Sequence, residues 1–287
     1  MVATRVSWIL LSLATLLLSA CSAVSFGIAN FPARFAHSER TANVPFGPAG
    51  WQRVDVYQPQ HTAGPVPVIV FWYGGGWTAG NKDEYRFVGT ALASLGFVAV
   101  LPDYRVYPEV RFPAFLDDAA AAVAWTQSHS AQFGGDPHRI VLMGHSAGAH
   151  MAAMLAINPE YLRRAGVDTH NVVGLIGLSG PYELAPNTPT LNAIFAAPYT
   201  PHDWQVLPFV SSDAPPTLLI HGASDRLVWV SNSLHLADAL RQKNVPVQLD
   251  VYPNRGHGDT VAALSWAARF RSPTLDDIDR FMHTLNR

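Results

Sequence analysis

The chain has 287 residues, of which 49% are hydrophobic and 14% charged. This composition provides a sizeable core and excludes a largely disordered chain. Lys and Arg total 19 against 21 Asp and Glu, the formal net charge is -2, and no run of like charge occurs. The sequence therefore lacks the basic surface that nucleic-acid binding requires, and we expect no nucleic-acid partner.

The first twenty residues differ from the rest of the chain. Arg5 precedes an apolar stretch over residues 8–18, and the sequence LSAC follows, ending at Cys21. The apolar stretch is too short to span a bilayer comfortably and is typical of a signal peptide. We therefore predict a signal peptide over residues 1–20.

Cys21 is the single cysteine of the chain, so it has no partner for an internal disulfide. One interpretation is an incidental or small buried thiol. The LSAC stretch, however, resembles the bacterial lipobox, whose cysteine is acylated and becomes the mature N-terminus. This resemblance implies lipidation at Cys21 and a protein held at the bacterial cell envelope by that lipid alone, facing the periplasm or the exterior.

After the signal peptide, the pattern changes twice. Residues 21–50 are rich in Ala, Ser, Pro and Gly without periodicity, and predict a tether and a connecting loop. From residue 51 onward, strand-like and helix-like segments alternate. Strands are expected at 54–59, 66–73, 96–104, 139–143, 172–180, 215–222 and 247–252, and helices at 84–95, 114–130, 149–157, 231–243 and 273–285.

This alternation predicts the α/β class, with a mostly parallel sheet covered by helices on both faces. The strands are near-continuous apolar runs, as strands buried on both faces should be. We expect one α/β domain over residues 51–287. The segment 185–210, which contains several prolines and aromatic residues, predicts a small lid.

The motif GHSAG, Gly144 to Gly148, lies between the strand RIVLM and an Ala/Met-rich helix. Gly-x-Ser-x-Gly between a strand and a helix is typical of a nucleophile elbow, whose tight turn requires small flanking residues. The following helix presents N–H groups and the positive end of its dipole. Ser146 is therefore the candidate nucleophile; the alternative is a glycine-rich turn with an incidental serine.

A serine hydroxyl needs a base to take its proton, and that base must be held in one tautomer. In this topology the acid and the histidine follow the serine along the chain, each just past a strand end. Asp225 follows the strand that ends near His221, and His257 follows the strand that ends at Tyr252. These two side chains are the preferred acid and base.

Other side chains remain candidates for the same roles. The rival acids are Asp213, Asp250 and Asp259, and the rival bases are His145, His150, His221 and His235. Asp250 lies inside an apolar strand, which favours a structural carboxylate, and Asp259 is placed to begin a helix. The side chain of His145 is expected to point away from that of Ser146.

Three consecutive glycines, residues 74–76, follow the second predicted strand in YGGGWTAG. The chain has neither the Gly-x-x-x-x-Gly-Lys-Ser/Thr of a phosphate loop nor a Gly-x-Gly-x-x-Gly fingerprint at this strand. Its twelve histidines are scattered without a His-Glu-x-x-His motif, so the sequence predicts neither a metal site nor a cofactor.

Together these motifs resemble the α/β-hydrolase esterases with a His-Gly-Gly-Gly oxyanion loop. That group includes hormone-sensitive-lipase-like carboxylesterases, prenylcysteine methylesterases and feruloyl- and acetyl-xylan-type esterases. The resemblance rests on YGGGWTAGNK, DYRVYPEVRFPAFLDD, FGGDPHRIVLMGHSAGAHMA, HGASDRLV and RGHGD, in the family's order. It implies the α/β-hydrolase fold and a serine carboxylesterase that cleaves small-molecule esters through an acyl-enzyme, without a cofactor.

The resemblance also implies an oxyanion hole formed by the backbone N–H groups of Gly75, Gly76 and Ala147. Tyr73 departs from the family, which usually has histidine there, and its hydroxyl is expected to anchor the loop instead. Trp77 is expected either to pack against the loop or to contact the substrate.

Two further groups of residues carry weaker expectations. Asp117 and Asp118 are expected on a helix surface or bound to a neighbouring loop, and not as a glycosidase pair. The aromatic lid residues Phe195, Tyr199 and Trp204 favour a small or aromatic acyl or alcohol group.

Two alternatives to an esterase stay open. An amidase, an arylformamidase-like enzyme or a peptidase would use the same catalytic residues on a different bond. A catalytically silent binding or scaffold protein would keep the fold without the reaction. The sequence leaves the oligomeric state open.

Overall fold

The computed structural model describes residues 25–35 and 38–285. The predicted signal peptide and Cys21 lie outside the described residues. Among the helices that are described, none combines the length and apolarity needed to cross a bilayer.

An eight-stranded sheet forms the centre of the described structure. In chain order the strands are β1 (Glu39–Pro45), β2 (Arg53–Gln58), β3 (Val66–Trp72), β4 (Val98–Pro102), β5 (Gly135–His145), β6 (Val172–Leu178), β7 (Thr217–Gly222) and β8 (Val247–Tyr252). They lie side by side in the order β1-β2-β4-β3-β5-β6-β7-β8. β2 runs antiparallel to β1 and β4, and the other neighbours are parallel. The predicted mostly parallel sheet is confirmed.

Helices cover the sheet and connect its strands. The α-helices are α1 (Arg86–Ser94), α2 (Ala114–His129), α3 (Ala147–Ile157), α4 (Glu160–Arg164), α5 (Pro189–Ile194), α6 (Pro201–Trp204), α7 (Ser231–Gln242), α8 (Asp259–Ala262) and α9 (Thr274–Thr284). Short 3₁₀ turns span Pro32–Phe35, Lys82–Tyr85, Ser130–Phe133, Thr169–Asn171, Leu207–Phe209 and Trp266–Arg271. The five long helices expected from the sequence correspond to α1, α2, α3, α7 and α9.

β1 lies within the segment 21–50, for which the sequence predicts a tether and a connecting loop. That prediction is wrong for residues 39–45, which pair with β2 at the edge of the sheet, and residues 25–30 are helical. The side chains of β1 are exposed or half-exposed throughout, so the strand lacks the apolar alternation by which strands are recognised. Its Arg40 instead donates to the fully buried Asp55 of β2, with Nε 2.9 Å from Oδ2.

The core surrounds the middle strands. Every residue of β4 is buried, and so is every residue of α3, on all sides. A helix that is apolar all round belongs in the interior, and α3 is held there directly after β5. Because β3, β5, β7 and β8 run parallel, the loops that follow them meet at one edge of the sheet, where sites in such folds are built.

Asp117 and Asp118 of α2 take one each of the two expected environments, the helix surface and a neighbouring loop. Asp118 is buried and binds Arg105 of the neighbouring loop, with Nε–Oδ2 and Nη2–Oδ1 distances of 2.9 and 2.6 Å. Asp117 is exposed and pairs with Arg164 at 2.8 Å. Asp118 therefore fixes the loop after β4, while Asp117 belongs to the surface.

Candidate active site

Ser146 occupies the turn between β5 and α3 with φ 54° and ψ −121°. A positive φ is uncommon for a residue with a side chain and stores strain at such turns. A Cβ on Gly144 would lie 2.2 Å from the backbone of Gly148, and a Cβ on Gly148 would lie 2.1 Å from the carbonyl oxygen of Trp72. Both glycines are thus required by the close approach of backbone around the serine.

The structure brings together the three side chains predicted as nucleophile, base and acid. His257 Nε2 lies 2.8 Å from Ser146 Oγ, and His257 Nδ1 lies 2.7 Å from Asp225 Oδ2. A carboxylate only accepts, so Nδ1 carries the proton and donates it to Asp225. Nε2 is then the unprotonated nitrogen of the ring, and the serine hydroxyl donates a hydrogen bond to it. The imidazole is held in the tautomer that can accept a proton from the serine.

Asp225 is buried but fully hydrogen-bonded. Its Oδ1 accepts the backbone N–H groups of Leu227 and Val228, both at 2.9 Å. Burial alone would raise the pKa of Asp225, but hydrogen bonds from His221, His257 and Val228 outweigh it and hold that pKa below its usual range. Asp225 is therefore ionised at neutral pH and keeps its negative charge next to His257.

The rival acids are placed elsewhere. Asp213 is exposed. Asp250 accepts from the side chain of Gln248 at 2.7 Å within β8, and Asp259 begins α8. Among the described residues, none of the three is hydrogen-bonded to His257.

His145 does not bind the serine, but it does bind the loop that carries the base. The sequence predicts only that its side chain points away from Ser146; the structure places its Nε2 3.1 Å from the backbone oxygen of His257. Burial, and secondly the neighbouring His257, lower the pKa of His145 to about 3. His145 is thus neutral, and its Nε2–H donates to the His257 carbonyl, fixing that loop against the elbow.

The remaining rival bases serve other contacts. His150 Nε2 is 2.6 Å from the carbonyl oxygen of Trp204. His235 lies on α7 and is paired with Glu183 on the surface. His221 is buried beside Asp225, at 3.3 Å, so it contacts the acid and not the serine.

The glycine loop after β3 faces the same cavity as the serine. Gly75 and Gly76 have φ values of 135° and 61°, which glycine adopts without penalty. Both line the cavity together with Ser146 and Ala147. Within the described part of the chain, no backbone carbonyl accepts the N–H of Gly75 or Gly76. These donors are therefore available to a ligand in the cavity.

Tyr73 and Trp77 hold the two ends of this loop. The Tyr73 ring stacks on Tyr104 with 4.5 Å between centroids, and its backbone oxygen accepts the Tyr104 hydroxyl at 3.0 Å. The Tyr73 hydroxyl is 3.5 Å from Asp103, which is a long, weak contact. Tyr73 therefore anchors the loop by stacking more than by its hydroxyl. Trp77 packs edge-on against Phe195 at 4.9 Å and also lines the cavity, so its packing role is observed and its contact with a substrate stays a prediction.

The cavity in front of Ser146 has a volume of about 550 Å³. Its walls combine apolar and polar side chains: Pro181, Leu184, Leu191, Leu227, Trp229, Glu183, Asn187 and Asn232. Pockets of this size and mixture admit small organic molecules.

The aromatic residues expected in the lid are not among the residues that line this cavity. Phe195 and Trp204 are buried, with 5.5 Å between their ring centroids. Tyr199 packs on Phe112 at 5.1 Å. The expectation that these rings shape the substrate pocket is thus corrected: Phe195 and Trp204 pack into the core, and Tyr199 is partly exposed to solvent.

Known proteins with similar sequences are esterases by name. The chain is 30% identical over 239 residues to an isoprenylcysteine alpha-carbonyl methylesterase of Arabidopsis thaliana, a match that covers 76% of this chain and 56% of that protein. It is also 30% identical over 247 residues to the esterase LipC of Mycobacterium tuberculosis, covering 78% and 60%. The chain therefore spans less than two thirds of the length of these relatives.

A solved structure shows the fold. A truncated carbohydrate esterase from gut microbiota superimposes with a TM-score of 0.75 at 22% identity, covering 87% of this chain and 97% of that one. The α/β-hydrolase fold predicted from the sequence is confirmed. The family model described as BD-FAE matches residues 54–240, more than half of the chain and including the glycine loop, the serine elbow and Asp225. The chain belongs to the BD-FAE family of α/β-hydrolase-fold proteins.

Proposed function

We propose that this protein is a serine carboxylesterase that hydrolyses small-molecule carboxylic esters through an acyl-enzyme. One observation carries the proposal: an unbroken hydrogen-bonded chain runs from Ser146 through His257 to Asp225 at the wall of a cavity. The names of the similar proteins, a methylesterase and an esterase, support the same reaction.

In the first half-reaction, Ser146 Oγ attacks the ester carbonyl carbon while His257 Nε2 takes the hydroxyl proton. Asp225 remains ionised, holds the ring by its Nδ1–H and stabilises the imidazolium that forms. The resulting tetrahedral intermediate carries a negative charge on the former carbonyl oxygen.

Gly75, Gly76 and Ala147 are the proposed donors to that oxygen. Ala147 is the first residue of α3, so its N–H lies at the positive end of the helix dipole. Fixed backbone donors need no reorganisation as the charge develops, and loss of one such donor typically costs about 2.7–4 kcal/mol of transition-state stabilisation.

Collapse of the intermediate breaks the bond to the leaving oxygen, and His257 gives its proton to the departing alcohol. Ser146 is then acylated. In the second half-reaction His257 takes a proton from water, the hydroxide oxygen attacks the acyl carbon, and the proton returns to Ser146 Oγ as the acid leaves. Each proton passes through one imidazole, so the proposed mechanism calls for no metal or cofactor.

A substrate panel tests the reaction. Aryl esters of increasing acyl length should be hydrolysed, and Ser146→Ala should reduce kcat to the background rate. Turnover of formyl-aryl-amides or peptides without turnover of esters would contradict the esterase proposal and favour an amidase. A fluorophosphonate should label the wild-type protein and not Ser146→Ala; no labelling of folded wild-type protein would favour a catalytically silent hydrolase fold.

We also propose that Cys21 is acylated and that the protein is anchored at the bacterial cell envelope. The support is the LSAC sequence after the apolar stretch 8–18. Cys21→Ser should move the protein out of the membrane fraction of cells. An unchanged distribution of Cys21→Ser between the fractions would contradict this proposal.

A further inference from the structure

Away from the active-site cavity, the large apolar side chains with the greatest exposure lie on two segments of the described chain. The first, residues 25–33, carries Ile28 and Phe31, which are 60% and 58% exposed. The second is the 3₁₀ turn Trp266–Arg271, in which Trp266 and Phe270 are 74% and 85% exposed. Three of these four residues are aromatic, and we refer to the four together as the aromatic face.

The two segments border one groove. A cavity of about 550 Å³ is lined by Ala29 and Pro32 from the first segment and by Trp266 from the second, with Phe87 and Ala91 of α1 beneath. Trp266 lines this groove directly, and Ile28, Phe31 and Phe270 are each next in sequence to a residue that lines it (Ala29, Pro32 and Arg269). The exposed apolar residues therefore cluster around one groove. Contiguous exposed apolar surface of this kind marks an interaction site.

Within the two segments that border the groove, the charged side chains have one sign. Residues 25–33 contain no ionisable side chain, and the turn 266–271 contains Arg269 and Arg271 but no acidic residue. Both arginines are exposed, and Arg271 is paired with Asp259 at 2.8 Å. Exposed Trp and Phe combined with Arg are characteristic of surfaces that lie in the interface of an anionic bilayer.

The short distance along the chain between Cys21 and the segment 25–33 favours the bilayer as the partner of this face. Ser25, the first described residue, is four positions after Cys21, and four extended residues span at most about 14 Å. A lipid on Cys21 would therefore keep the segment 25–33, and the groove it borders, within reach of the lipid headgroups.

We propose that the aromatic face docks on the membrane, with Trp266 and Phe270 inserted at the level of the headgroups and Arg269 facing anionic phosphates. This inference rests on the proposed acylation of Cys21, and it gives the anchored protein a fixed orientation. A lipid tether and an interfacial surface together supply the two signals that stable membrane attachment requires.

Fluorescence quenching tests the orientation. The full, lipidated protein is reconstituted into phosphatidylglycerol-containing vesicles whose acyl chains carry bromine, a short-range quencher. Trp266→Phe is compared with Trp229→Phe as the matched control, because Trp229 is similarly exposed (68%) but lines the active-site cavity. Trp266→Phe should remove most of the bromine-dependent quenching, whereas Trp229→Phe should leave it unchanged.

The other outcomes decide against the proposal. Quenching that is unchanged in Trp266→Phe, or reduced equally in both variants, would show that this face does not meet the bilayer. Cross-links through position 266 between two copies would assign the face to self-association and overturn it as well. Mass spectrometry of Cys21 separates the proposals: an unmodified cysteine overturns both, whereas an acylated Cys21 with an unquenched Trp266 overturns the docking surface alone. Ester hydrolysis by Trp266→Phe is measured in parallel and reports on the esterase proposal independently.

Discussion

His221 Nε2 lies 3.3 Å from the same oxygen of Asp225 that accepts from His257 Nδ1 at 2.7 Å. His221 is fully buried on β7, its Nε2 is also 2.9 Å from the carbonyl oxygen of Val228, and its Nδ1 is 2.7 Å from Ser233 Oγ. The Nε2–H faces two acceptors, so Nδ1 accepts from the serine hydroxyl. A chain from Ser233 through His221 thus positions the carboxylate that orients the base.

His221→Asn should lower kcat by about tenfold to a hundredfold with little change in KM, since small misplacements of catalytic groups cost rates of this order. The residue contacts the acid and not the cavity, so substrate binding should persist. Ser233→Ala should have the same effect to a smaller degree. Steady-state kinetics on an aryl ester measure the split between kcat and KM.

His235→Asn is the matched control for this prediction, because His235 lies on the same helix as Ser233 but is exposed. It should retain the wild-type kcat. If His221→Asn lowers the melting temperature while kcat stays at the wild-type value, His221 stabilises the core and does not position Asp225.

The glycines of the elbow should be intolerant of alanine for steric reasons alone. A Cβ at Gly148 would meet backbone atoms at 2.1 Å, and one at Gly144 at 2.2 Å; backbone cannot move aside as a flexible side chain can. Gly148→Ala should therefore lower the free energy of unfolding by about 1–3 kcal/mol or more. Gly64→Ala is the control, because a Cβ there has no neighbour within 4 Å. Urea unfolding measures both, and wild-type stability of Gly148→Ala would contradict the argument.

Much of the sheet could be predicted because buried parallel strands have continuous apolar sequences. β4 and β6 show this best, since nearly all of their residues are buried. β5 begins at Gly135, four residues before the predicted start at Arg139, because Gly135 pairs with Val66 through backbone groups. Backbone pairing of this kind leaves no mark in hydrophobic patterning.

Neither the strand β1 nor the inward orientation of the lid's aromatic rings could be predicted from the sequence, for related reasons. β1 is held by the ion pair between its Arg40 and Asp55, which lies on another strand and is contacted by Lys82 as well. Phe195 and Trp204 face inward, where they pack against each other, and they also contact Trp77 and Phe112 respectively. Both features are set by tertiary contacts, whereas the serine elbow and its partners follow from local turns at strand ends.

His221 shows a different limit. A histidine at the end of a strand before the acid fits the role of a base, and the sequence offers it as a rival to His257. Its spacing of four residues from Asp225 is the signal that could have identified it as a partner of the acid. The tertiary hydrogen bonds distinguish the two roles: both nitrogens of His221 face Asp225, Val228 and Ser233, whereas His257 reaches Ser146.

The two proposed loop donors should respond differently to alanine. A Cβ on Gly75 would lie 2.0 Å from the carbonyl oxygen of Ala79, whereas one on Gly76 would have its nearest neighbour at 3.9 Å, on Thr78. Gly75→Ala should displace the loop and lower kcat by about 10²–10³, the effect of losing an oxyanion donor. Gly76→Ala meets only the cost of a positive φ and should lower kcat less. A wild-type kcat for Gly75→Ala would show that the loop does not stabilise the transition state.

Stability should fall in mild acid because two buried histidines are kept neutral. Burial lowers the pKa of His145 to about 3 and that of His150 to about 4, against about 6.5 in the unfolded chain. The unfolded state binds more protons below pH 6.5, so the free energy of unfolding decreases as the pH falls from there toward the folded pKa values. Each histidine should account for a loss of about 2 kcal/mol between pH 7 and pH 5. Asp225 adds no slope in this window, since its lowered pKa leaves it ionised in both states.

Urea unfolding at several pH values between 5 and 7 measures this slope in the wild type and in His150→Gln. The variant should lose about half of the pH dependence, because only His145 then still resists protonation in the folded state. His170→Gln is the control, since the side chain of His170 is 95% exposed and its replacement should leave the slope as it is. A slope in His150→Gln as steep as that of the wild type would mean that the buried imidazole against Trp204 accepts a proton without loss of the fold.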